Sequence, residues 1–99
     1  MKSIIHNLDK AFENRIRLGV MSILSVNEWV EFNELKKILD VTDGNLASHI
    51  SALDKKEFIE TRKRFVGKKP NTSFRITKVG KEAFQNHLQA LERLLKDGV

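Results

Sequence analysis

The apolar residues of this chain change rhythm. Phe12, Ile16, Val20, Ile23 and Leu24 recur at three- and four-residue spacing. So do Leu46, Ile50 and Leu53, and later Phe84, Leu88, Leu91 and Leu95. Between the last two sets the spacing falls to two. Phe74 and Ile76 alternate with Ser73 and Arg75, just after the turn-forming run Gly67-Lys68-Lys69-Pro70-Asn71. A helix repeats about every 3.6 residues and a strand every 2, so the pattern predicts helices with a β-hairpin before the last of them.

Local signals place the elements. The first helix is expected from about Asp9 to Ser25, its stripe widened by Leu18 and Met21. Trp29-Val30-Glu31-Phe32 is aromatic and β-branched, which suits a brief strand. Asn33 reads as an N-cap with Glu34 in the first turn, opening a second helix to Leu39 that buries Leu35, Ile38 and Leu39. After a tight turn at Asp40–Thr42, Thr42 caps a third helix running to about Lys56. A strand from Phe58 to Val66 and a return from Thr72 to Ile76 flank the turn. Thr77 caps a last helix to about Lys96, in which Val79 and Ala83 are expected in the core. The fold class is mainly α with a small hairpin, in the order α-β-α-α-β-β-α, as one domain over residues 1–99. A helix-turn-helix occupies about 33–56, the hairpin about 58–77 and the last helix about 78–96.

Composition removes several functions. No cysteine is present, which excludes disulfides, thiolate metal sites and cysteine nucleophiles and fits a reducing cytoplasm. His6, His49 and His87 have no ligand-spaced neighbours, so neither a metal nor another cofactor is expected. No phosphate loop, nucleophile elbow or paired catalytic carboxylate occurs, which argues against an enzyme. No apolar run reaches the roughly 20 residues of a membrane span, and the N-terminus does not read as a signal peptide.

Charge points to a partner. Lys55 to Lys81 holds ten Lys/Arg against two acids, a net +8, while the whole chain carries only +5. The excess follows directly on the third helix. A basic hairpin after a helix-turn-helix is the electrostatic footprint of a DNA binder. On the outer side of the third helix, opposite Leu46, Ile50 and Leu53, project Gly44, Asn45, Ser48, Ser51, Ala52 and Lys55, each small or polar.

The segments Asn14–Leu24, Phe32–Glu60 and Ser73–Phe84 together resemble the small stand-alone winged-helix transcriptional regulators of the MarR/ArsR type. The blocks DGNLASHISAL and FRITKVG are the most specific. One departure is Glu57-Phe58, where such proteins have a small residue before the first wing strand. The resemblance implies a homodimer reading a palindromic operator in double-stranded DNA. Recognition helices would enter successive major grooves, and wings would lie on the backbone or in the minor groove.

On this reading Thr42, Gly44, Asn45, Ser48, His49, Ser51 and Lys55 form the recognition-helix set. Amides and hydroxyls can serve bases or phosphates. His49, at the edge of the buried stripe, either meets a phosphate or packs half-buried as a neutral imidazole. Arg62, Arg64, Lys68, Lys69 and Arg75 form the wing set, with Lys63 pointing the other way by period two. A solvated hairpin whose lysines discourage edge pairing is the plainer alternative. Ile4, Ile5, Leu8, Phe84, Leu88, Leu91 and Leu95 are the candidate dimer seam, unless the helical stripe is core. A protein-interaction module and a structured-RNA binder are the rival functions. No effector can be read from the residues.

Overall fold

The computed structural model describes residues 5–97. A 3-10 turn at Lys10–Phe12 leads to α1 (Arg15–Ser25), β1 (Val30–Glu31), α2 (Phe32–Leu39), α3 (Asp43–Lys55), β2 (Ile59–Val66), β3 (Lys69–Ile76) and α4 (Lys78–Asp97). The antiparallel sheet has the order β1-β3-β2, with Val30 opposite Phe74 and Ile59 opposite Ile76. The order of helices and strands agrees with the sequence-based expectation.

The expected first helix is divided. Asp9 accepts a hydrogen bond from the Ala11 amide at 2.9 Å, and Asn14 accepts from those of Ile16 and Arg17 at 2.9 and 3.1 Å. Two side-chain caps in six residues end one turn and start another. The break swings Phe12 into the core, where its ring lies 5.5 Å from Phe58, 5.3 Å from Phe84 and 5.2 Å from His87. Fully buried Val20, Met21, Leu24, Leu35, Leu46 and Leu53 pack around this centre.

Three further expectations are corrected. The N-cap of α2 is Glu31, without a side-chain bond, and Asn33 lies inside the helix. Two-residue β1 pairs with β3 and turns straight into α2, with Phe32 set 6.4 Å from Phe74, so tertiary pairing overrides the local cap signal. Ile38 and Val79 are 61% and 53% exposed, because each lies on the face of its helix turned away from the core. The hairpin loop is two residues, not five: Val66 pairs with Lys69 around Gly67-Lys68. Gly67 takes φ +66°, and Lys68 is not among the residues with positive φ. That matches the type II′ turn, whose twist suits a hairpin. Pro70 can sit in β3 because β1 covers only Ser73 and Phe74.

The junction after α3 is tightly built. Phe58 donates its amide to Leu53 and Glu57 donates to Asp54, at 3.1 and 2.9 Å. This is a Schellman motif, and Glu57 occupies its left-handed position with φ 62°. Thr77 Oγ1 donates to the Glu57 carbonyl at 2.7 Å and accepts from the Gly80 amide at 2.9 Å, so Thr77 caps α4 as expected. A Cβ at Gly80 would stand 2.1 Å from the Phe58 carbonyl oxygen. Only glycine lets α4 approach this closely.

Candidate nucleic-acid interface

Local chemistry fixes α3. Thr42 accepts from the Asn45 amide at 3.2 Å, and Asp43 stands in the first turn, where the helix dipole favours an acid. Asp43 also pairs with Lys36 of α2 at 2.8 Å, a solvent-exposed clip across the helix-turn-helix. With Leu46, Ile50 and Leu53 buried, the opposite strip is open: Gly44, Asn45, Ser48, Ser51 and Lys55 are all exposed. An added Cβ at Gly44 would meet nothing within 4 Å.

His49 follows the packed alternative. It is half-buried, and its Nδ1 lies 2.9 Å from a terminal nitrogen of Arg17. Arginine can only donate, so Nδ1 accepts and the imidazole is neutral there. Burial, and then the Arg17 charge, lower the His49 pKa below its ordinary value.

The hairpin has two unlike faces. Thr61, Lys63, Pro70, Thr72 and Phe74 line a groove shared with Ala47, Ser51 and Asp54 of α3, so this face looks at the recognition helix. Glu60, Arg62, Arg64 and Arg75 lie on the other face by alternation. There Arg62 and Arg75 stack on Trp29, at 4.2 and 4.8 Å from its ring centre. Arg75 also pairs with Glu60 at 3.1 Å.

The structure therefore separates the predicted wing set. Lys68 and Lys69 lie exposed at the tip and Arg64 close to it, whereas Arg62 and Arg75 are held against Trp29. Lys63, which alternation sets opposite Arg62 and Arg64, is the cation that faces α3. Period two already put Lys63 opposite Arg62, but only the packing shows which side meets the helix. Arg17 also reaches α3, through His49. It falls off the apolar stripe of α1, and nothing local marks its contact with His49.

The proposed seam is divided as well. Phe84 is only 4% exposed and belongs to the protomer core, because the divided first helix brings Phe12 against it. Gly80, Phe84, His87 and Ala90 form the buried face of α4, and His87 accepts the Asp9 amide at 3.0 Å. Leu88, Leu91 and Leu95 lie beside that face, exposed. Ile5 is exposed and Leu8 half-buried; Ile4 falls outside the described residues. Among the described residues no helix is long and apolar enough to cross a membrane.

Comparison with known proteins agrees with this architecture. Residues 16–95 match the family model of the winged helix DNA-binding domain. An uncharacterized protein of Methanocaldococcus jannaschii is 35% identical over 88 residues, covering 89% of this chain and 96% of that protein. A transcriptional regulator homologue from Pyrococcus horikoshii OT3 superposes with a TM-score of 0.80 at 32% identity, over 87% of this chain and 85% of its own. A MarR-like transcription regulator from Bacillus cereus ATCC 10987 shares the fold, with a TM-score of 0.71 at 22% identity, over 95% and 70% of the two chains. The chain belongs to the winged helix DNA-binding domain family.

Proposed function

We propose that the protein is a homodimeric, sequence-specific transcriptional regulator that binds double-stranded DNA in the cytoplasm. α3 enters the major groove, with Asn45, Ser48 and Ser51 offered to base edges or phosphates and Thr42, Gly44 and Lys55 beside them. The hairpin lies on the backbone or in the adjacent minor groove. One observation supports this reading above the others. Lys63 faces α3 across the hairpin groove, Lys68 and Lys69 stand exposed at the hairpin tip, and none of these three forms an ion pair among the described residues. Unpaired cations beside an open polar helix suit a polyanion with readable edges better than an apolar protein partner.

Leu88, Leu91 and Leu95 offer an apolar strip on α4 through which a second copy can pack, placing two α3 helices on a palindromic site. Selection of bound duplexes from a random pool tests the sequence-specific reading. Wild type should enrich a palindrome, and Asn45→Ala or Ser48→Ala should change the enriched bases. Equal retention of all sequences, or preference for RNA in competition, would refute it. Sedimentation tests the pairing: Leu88→Asp with Leu95→Asp should shift a dimer toward monomer.

A further inference from the structure

The hairpin borders α3 on one side only. On the other side lies a second groove, lined by Lys10, Ala11, Arg17, Ala52, Leu53 and Lys56. Helix geometry keeps the two apart. Ala47, Ser51 and Asp54, at i, i+4 and i+7, edge the hairpin groove. His49, Ala52 and Lys56, at i, i+3 and i+7, edge the opposite side. The exposed strip with Ser48 and Lys55 runs between them.

Three cations meet at this second groove, and none of the described residues lining it is acidic. Lys10 and Lys56 are exposed, and their side chains have no ion-pair or hydrogen-bond partner among the described residues. Arg17 is held in place. Its Nε donates to the Ala11 carbonyl at 2.7 Å, one terminal nitrogen reaches the Lys10 carbonyl at 3.5 Å, and the other meets His49 Nδ1 at 2.9 Å. A guanidinium has five N–H groups, so this fork still has donors to offer. Because His49 accepts through Nδ1, its ring proton sits on Nε2. The groove's short apolar side chains, Ala11 and Ala52, leave room for a tetrahedral anion.

We infer that this groove is a second phosphate-binding site. It takes backbone phosphates on the side of α3 away from the hairpin, so the recognition helix is braced from both edges of the major groove. The inference rests on the duplex-binding reading above. Lys10 and Lys56 supply mobile charge, Arg17 supplies a rigid fork, and Arg17 also positions His49.

The test is the salt dependence of binding to a mixed-sequence 20-base-pair duplex, followed by fluorescence anisotropy. Each lost phosphate contact lowers the slope of log affinity against log salt by about one. Lys10→Ala with Lys56→Ala should lower it by about two and leave the melting temperature unchanged. Arg17→Ala should remove about one more and let the His49 pKa rise, seen in the NMR titration of its ring. A merely structural Arg17 would change the titration and not the slope. Should Arg17→Ala fail to fold, the Lys10/Lys56 pair still decides. An unchanged slope in that pair, alongside a reduced slope in hairpin variants, would overturn this inference and spare the duplex-binding reading. Wild type that binds no duplex at all would overturn both.

Discussion

The cations of the hairpin fall into two groups of opposite character. On the outer face, Arg62 and Arg75 lie on Trp29 and Arg75 also pairs with Glu60. On the inner face and tip, Lys63, Lys68 and Lys69 have no such partners among the described residues. A cation already stacked and paired has spent much of its interaction within the protein. An unpaired cation keeps its full attraction for a polyanion. Net charge counts both alike, so the +8 segment overstates what the hairpin can present to DNA.

The strongest way to break this contrast is Trp29→Ala. It removes the half-buried ring beneath two arginines. Unfolding free energy should fall by about 2 kcal/mol in a urea titration. Freed from the ring, Arg62 and Arg75 should leave the salt slope of DNA binding unchanged or raise it; a fall would show that the stacked arginines already reach phosphates. The complementary change is Lys63→Ala with Lys68→Ala and Lys69→Ala. Stability should move by no more than about 0.5 kcal/mol, as for exposed residues, while the salt slope drops by about three. Glu60→Gln is milder. It releases Arg75 from an exposed ion pair at a cost of about 0.5 kcal/mol, and tighter DNA binding would mean that the pair restrains Arg75. The smallest effect comes from beyond the hairpin. The folded-state pKa of His49 is lowered by burial and by Arg17, so below about pH 6.5 the unfolded chain binds this proton more readily than the folded one. This contribution to stability is complete above that pH and declines as pH falls through it. His49→Gln should flatten that part of the stability profile.

How much the residues disclosed depended on how local each decision was. Thr42, Thr77 and the Leu46-Ile50-Leu53 stripe set their helices through neighbours a few positions away, and each lies where its spacing implied. Asn33 failed as a cap because β1 pairs with a strand some forty residues on, which starts α2 early. Phe12 continued the stripe of α1 in spacing, yet Asp9 and Asn14 divided the helix and moved Phe12 against Phe84. That one displacement took Phe84 out of the exposed seam. At the candidate interface, alternation separated Lys63 from Arg62 but could not say which face looked toward α3. Arg17 depended on a contact with His49 across 32 positions, which no short-range pattern encodes.

The junction where Gly80 touches the Phe58 carbonyl has a consequence for how far apart two copies read. It welds the end of α3 to the start of α4 through Glu57, Phe58 and Thr77. If two copies meet along α4, the angle at this weld sets the separation of their recognition helices. Its stiffness then acts as a ruler. Loosening it would leave each copy able to grip DNA, yet blur the number of base pairs the pair prefers between half-sites.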